Sequence, residues 1–227
     1  MNSRKKTVFI SIAVILFCII MAFVDGVLKA DYFAKSAIKL VLFLGFPAIY
    51  SAFDKDIRIK PLFTPKKKGM CLSLLLAFGV FAVILGGYIL LRGVLDFSAI
   101  TSQLTGNIGV TKDNFVFVSL YISFVNSLLE EFFFRGFAFL TLKRISSSRF
   151  AYLFSAAAFA IYHVAMMIGW FSIGLFLLVM VGLFVGGLIF DFLNDKSGNI
   201  YPSWFVHMFA NFAINTVGFI LFGIIKI

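Results

Sequence analysis

FVFVSLYISFVNSLLEEFFFRGFAFLTL (residues 115–142) is an unbroken, largely apolar run with two adjacent glutamates and an arginine inside it. About 20 such residues cross roughly 30 Å of hydrocarbon as a helix. This stretch is therefore longer than a bilayer requires and is expected to tilt or to project beyond one face. Nothing in lipid solvates an ionisable side chain, so Glu130, Glu131 and Arg135 each need a partner or a function.

The rest of the chain reads the same way. Its 227 residues are 62% hydrophobic and 13% charged, too little polar material to cover a water-soluble globule. Six more apolar runs fall at about 8–24, 36–53, 70–91, 150–168, 172–193 and 201–225, and the loop 93–114 has room for a short eighth element. The expected fold class is all-α, a polytopic transmembrane helix bundle of about seven to eight helices forming one integral membrane domain over residues 1–227. No internal repeat, linker or second domain stands out. The first run follows Arg4, Lys5 and Lys6 as in a signal sequence, yet no small-residue cleavage site comes after it, and it reads as a retained anchor.

A formal charge of +10 raises the possibility of a nucleic-acid partner, but the basic residues sit in short connectors rather than along one face of a domain. Their distribution fits orientation in a bilayer instead. With the N-terminus inside, 13 basic residues fall on the cytoplasmic side, including Lys60, Lys66, Lys67 and Lys68 of the loop KPLFTPKKKG (residues 60–69). Only 6 fall opposite, namely Lys29, Lys35, Lys39, Arg92, Lys112 and Lys226. The bias predicts a cytoplasmic N-terminus and an outer C-terminus. The phenylalanine- and lysine-rich composition points to the plasma membrane of a bacterium. Cys18 and Cys71 both lie in apolar runs and are expected to pack rather than to pair or bind metal.

Polar residues within the runs form a short list: Asn126, Glu130, Glu131 and Arg135 in the fourth, His163 in the fifth, and His207, Asn211 and Asn215 in the seventh. Both histidines of the chain are on it. Glu131 and Arg135, four apart with the acid first, face each other on a helix. Glu130 is turned about 100° away and is left without a partner. A structural ion pair beside one protonated glutamate would satisfy the same residues, and a lone histidine such as His163 is commonly a packing residue. His207 and Asn211, again four apart, put an imidazole and a carboxamide on one face, where they could hold an oxyanion or bond two helices together. Counting inward at about 1.5 Å per residue places Glu130, His163 and Asn211 roughly 15 to 20 Å from the cytoplasmic ends of their spans. Independent packing residues would have no reason to agree in depth.

Glu130, Glu131 and Arg135 form EExxxR, Phe159 and His163 form FxxxH, and His207 and Asn211 form HxxxN. In this order they resemble the signature of the CPBP family, the type II CAAX prenyl endopeptidases and their Abi relatives, and the resemblance covers about residues 115–227. It implies an intramembrane endopeptidase acting on a peptide or membrane-anchored protein substrate. By position, Glu130 would be the base that activates water with His163 assisting, and His207 with Asn211 would hold the oxyanion. Glu131 and Arg135, with Phe159 packing nearby, would support helix geometry or the substrate's terminus. No cofactor is expected. The family also carries a metalloprotease label, and Glu130, His163 and His207 would be the alternative zinc set.

Three other functions share these residues. One is a bacteriocin immunity or maturation protein of the same family, another a proton-coupled transporter using the glutamates, and the third a scaffold that has lost its chemistry. A monomer is expected, with Gly182, Gly186 and Gly187 allowing close helix contact on the sixth span.

Overall fold

The computed structural model describes residues 2–66 and 69–226, apart from the side chains of residues 107 and 108. Lys67 and Lys68 of the basic loop lie outside the described residues. Among the described residues the chain forms helices and no strand: α1 (Ser3–Leu28), α2 (Tyr32–Phe53), α3 (Ile59–Leu62), α4 (Met70–Leu91), α5 (Ser98–Ile108), α6 (Phe115–Ile145), α7 (Ser148–Met167), α8 (Ile173–Ser197) and α9 (Tyr201–Leu221). Seven of these, all but α3 and α5, are long and apolar enough to cross a membrane. The molecule is an all-α polytopic bundle, and α5 is the short element for which the loop 93–114 left room.

The first two spanning helices start earlier than their apolar runs suggest. The side chain of Asn2 accepts the N–H of Lys5 at 2.9 Å, so the basic residues 4–6 lie within the first turns of α1. Asp31 caps α2 by accepting the N–H of Ala34 at 2.9 Å. Helix α2 therefore begins at Tyr32 rather than at 36, and Lys39 lies about two turns inside it.

The centre of the bundle is α6. Phe132, Phe133, Phe134, Phe137 and Phe139 are each 1% exposed or less, which explains a phenylalanine-rich run that no single-stripe pattern fits: this stretch of the helix is covered on every side. Phe43 of α2 stacks on Phe133 with centroids 4.0 Å apart, and Phe159 of α7 meets Phe134 edge-on at 5.5 Å. Lipid tails are as apolar as these rings, so close packing rather than escape from water favours their burial. Two stretches of α6, Tyr121–Asn126 and Glu131–Phe139, are π-helical. At the end of the second, the N–H of Leu140 reaches the carbonyl of Arg135, five residues back. Such widened turns are frequent at functional sites.

Of the three glycines expected to bring helices together, one does so. A Cβ on Gly187 would stand 2.9 Å from Ala156 Cα on α7, whereas Gly182 and Gly186 face open space. One residue along a helix is a turn of about 100°, enough to carry Gly186 off the face that Gly187 occupies. The cysteines also divide: both thiols are free, Cys18 is buried and Cys71 is exposed rather than packed.

Candidate active site

Four polar or aromatic residues of α9 recur at steps of three and four and so share one face, and each bonds to α6. Trp204 Nε1 donates to Ser127 Oγ at 3.0 Å, His207 Nδ1 lies 2.9 Å from Glu131 Oε1, and Asn211 Nδ2 donates to the carbonyl of Ile122 at 3.2 Å. Asn215 Nδ2 donates to the carbonyl of Ser119 at 3.1 Å and to Ser123 Oγ at 3.0 Å, so this carboxamide fastens the two helices together.

Helix α7 brings His163 from the other side. Regular hydrogen bonding lapses there: the N–H of His163 reaches the carbonyl of Ala160, three residues back, at 3.1 Å. Its Nδ1 lies 2.7 Å from the carbonyl of Phe159. A carbonyl only accepts, so Nδ1 carries the hydrogen and Nε2 is turned into the site. The same reasoning applies to His207, whose Nδ1 donates to the Glu131 carboxylate.

Both Nε2 atoms face one oxygen. Glu130 Oε2 is 3.9 Å from His163 Nε2 and 3.7 Å from His207 Nε2, with Glu130 itself 2% exposed. The EExxxR, FxxxH and HxxxN residues, more than seventy positions apart at their extremes, thus bring both imidazoles within 4 Å of one carboxylate oxygen. His163 is the more open of the two rings, its side chain 12% exposed.

Two findings correct the sequence reading. Glu130 is not left without a partner: Lys39 Nζ of α2 donates to its Oε1 at 2.8 Å, and Asn126 Nδ2 donates to the same oxygen at 2.9 Å. The sequence reading counts Lys39 with the basic residues of the outer side, although it falls within the apolar run 36–53. Arg135, for its part, is not confined to a pair with Glu131. Its Nη1 is 3.4 Å from Glu131 Oε1 and its Nε is 3.6 Å from Asp191 Oδ1 on α8, while its guanidinium carbon lies 4.0 Å from the centre of the Phe159 ring and 4.9 Å from that of Phe190. Asp191 Oδ1 also accepts from Ser155 Oγ at 2.9 Å. Lys39 and Asp191 were absent from the short list, although each is an ionisable residue within an apolar run, which is the signal that found the others.

The donor types of Glu130, His163 and His207 suit zinc, and each imidazole has an Nδ1 partner of the kind that orients a metal ligand. Their spacing does not. Zinc bonds of about 2.0 to 2.2 Å in a tetrahedron put neighbouring ligand atoms about 3.3 Å apart, closer than the 3.7 and 3.9 Å found. The Lys39 ammonium also already serves the same carboxylate. Among the described residues no group of three or more His, Cys, Asp or Glu side chains is arranged to hold a metal ion.

No curated protein and no solved structure matches the chain. Residues 112–213 match the family model described as type II CAAX prenyl endopeptidase Rce1-like. That segment, somewhat under half of the chain, contains every residue of the three motifs, and over it the chain is similar to the Rce1-like type II CAAX prenyl endopeptidases.

Proposed function

We infer that this protein is an intramembrane endopeptidase that hydrolyses a peptide bond in a C-terminal or membrane-associated peptide by means of water activated at Glu130. The observation that carries the reading is the convergence of Glu130 Oε2 with the Nε2 atoms of His163 and His207 from three helices. A water there can give one hydrogen to Oε2 and the other to His163 Nε2. As its oxygen bonds to the scissile carbonyl carbon, its proton passes to Glu130 and the carbonyl π electrons move onto oxygen.

The two histidines differ in what holds Nδ1, and that supports different roles. The Nδ1 of His163 is held by a backbone carbonyl, which suits a ring that accepts from water through Nε2. The Nδ1 of His207 is held by a carboxylate, and a ring so held can carry a proton on Nε2 as well, as in other acyl-transfer sites. His207 Nε2–H and the second amide hydrogen of Asn211 then serve the oxyanion. Collapse breaks the C–N bond, Glu130 returns the proton to the leaving amine, and a carboxylic acid, still bearing the other hydrogen of the water, and an amine depart.

No step is assigned to a metal. The ends of α1, α2, α6 and α8 that gather Lys6, Asp54, Lys143 and Asp195 are read as the cytoplasmic face, with a monomer in a bacterial plasma membrane as the working unit.

The decisive experiment compares membrane peptidomes of cells carrying the wild type and Glu130→Gln, followed by cleavage assays of both proteins in detergent on the peptides found and on a quenched peptide ending in a farnesylated cysteine and three further residues. Glu130→Gln is expected to lose about 10²- to 10⁴-fold in turnover, while protein level holds because glutamine still offers Lys39 an acceptor. Extensive chelation is expected to leave the wild type active. Equal turnover by the variant rejects Glu130 as the base, and activity lost to chelation and restored by zinc moves the site to the metalloenzymes.

A further inference from the structure

Lys39 lies outside the family match, on a helix that supplies none of the three motifs, yet it touches the proposed base. It is 7% exposed. Its ammonium donates to Glu130 Oε1 at 2.8 Å and to Asn126 Oδ1 at 2.6 Å, and it lies 4.9 Å from the centre of the Tyr162 ring and 5.7 Å from that of Phe43. Asn126 completes a closed triangle by donating from Nδ2 to the same Oε1 at 2.9 Å. One oxygen of Glu130 therefore accepts two hydrogen bonds from fixed donors, and the other faces the two imidazoles.

Stability does not explain this arrangement. A buried ion pair is often no better than apolar residues of the same volume, and a lysine stem gives up much rotamer freedom when it is fixed. Another lysine of α2 shows that the helix can satisfy such a group elsewhere: Lys35, one turn earlier, pairs with Asp25 of α1.

We propose that Lys39 is a positioning residue for the reaction, holding Glu130 Oε1 against Asn126 so that Oε2 is aimed between His163 and His207. The inference rests on the peptidase reading and adds to it a component from the half of the chain that the family model does not reach. A glutamate has three rotatable side-chain bonds, and an unanchored one would sweep its oxygens across the gap. Anchoring Oε1 removes that freedom and leaves Oε2 as the free acceptor facing the water. Charge is conserved through the step as well. The negative charge that leaves Glu130 when it takes the proton reappears on the substrate oxygen in the same pocket, and the ammonium stays in place to balance it before and after.

The test uses full-length protein in detergent and the peptides named above, with three variants. Lys39→Met keeps the volume and removes the donor, Lys39→Arg keeps a charged donor, and Asn126→Ala removes the second hold on Oε1 without changing the charge. Lys39→Met is expected to lower kcat about 10- to 100-fold, the scale on which misplaced catalytic groups act, while KM stays within about twofold because the residue does not touch substrate. Lys39→Arg should recover part of the loss, which a residue that only fills space would not predict. Asn126→Ala, which leaves no charge unpaired, should fold and show a smaller loss confined to kcat; it keeps the inference open to refutation if Lys39→Met does not accumulate. Wild-type kcat in Asn126→Ala, together with wild-type kcat in whichever lysine variant folds, overturns the role of Lys39 alone. A wild-type protein that cleaves none of the peptides removes the peptidase reading, and this inference with it.

Discussion

At one end of the bundle, Lys6 of α1 pairs with Asp54 and Asp56 just beyond α2, and Lys143 of α6 pairs with Asp195 of α8. In the middle, Lys39 pairs with Glu130, and Arg135 with Glu131 and Asp191. The end pairs join the tips of helices, and the charged groups retain some exposure, 16% for the Lys6 side chain and 46% for Asp56. Arg135, Glu131 and Asp191 have none. Screened pairs at an edge contribute little and cost little. Charges removed from solvent cost several kcal/mol each unless their partners are well placed, so five of them in one layer of an apolar bundle call for a reason beyond cohesion. The middle layer also differs within itself. On one side of α6, Arg135 is closed in by Phe159 and Phe190; on the other, Glu130 borders a histidine that is partly open. The closed side holds the frame and the open side offers an acceptor.

Breaking the closed side should have the largest effect on folding. Arg135→Met leaves Glu131 and Asp191 buried without their cation, and removing one partner of a buried pair costs about 3 to 5 kcal/mol. The expected result is a large fall in melting temperature in detergent. Asp191→Asn with Arg135→Met should restore part of it, since one unpaired charge is removed. If Arg135→Met melts with the wild type, the closed side is not a frame.

The two asparagines of α9 sharpen the comparison at the next level. Asn211→Ala removes a donor that the proposed mechanism aims at the oxyanion and should lower kcat about 10²-fold, with a fall in melting no larger than the loss of its one bond to Ile122 brings. Asn215→Ala breaks only bonds to Ser119 and Ser123 and should lower stability by about 0.6 to 1.7 kcal/mol, the range for hydrogen bonds between membrane helices, with kcat unchanged. Exchanged outcomes would place the boundary between chemistry and scaffold on the wrong turn of α9.

These contrasts were legible in the sequence to different degrees. The seven spans could be read because an apolar run is a local property, and 70–91 coincides with α4. The motif residues could be read because an ionisable or amide group stands out against such a run. What joins them could not. Helical spacing paired Glu131 with Arg135 but said nothing of His207, which comes from 76 residues away and takes the same Oε1. Lys39 and Asp191 lie near the edges of their runs, where a charge reads as a boundary; the cap at Asp31 starts α2 four residues earlier and sets Lys39 about two turns inside it. The π turns of α6 add a further limit, because after a five-residue step the ordinary period no longer says which side a residue faces. Gly182, Gly186 and Gly187 were alike in sequence, and the face of α8 that meets Ala156 separates them.

The end pairs supply the smallest predicted effect, and it depends on pH. Asp54 follows the last turn of α2, with its side chain 11% exposed. Burial acts to raise its carboxyl, but the Lys6 ammonium at 2.9 Å, the N–H of Asp56 at 3.0 Å and the Tyr50 hydroxyl at 3.3 Å outweigh it and hold the group below the usual carboxylate range. An unfolded aspartate titrates near about 3.9. Because the folded value is the lower one, the stability that Asp54 contributes is fully present above that pH and is lost as the pH falls through the folded value. The contribution of a partly screened pair is about 1 kcal/mol or less. Melting temperatures of the wild type and Asp54→Asn, measured from pH 6 down to the lowest pH at which the wild type stays folded, should differ slightly at the top of the range and converge toward the bottom. Parallel curves would mean that the clamp between α1 and α2 adds nothing that titrates. In that case, the pairs at the end of the bundle serve its orientation in the membrane and leave its stability to the packing around α6.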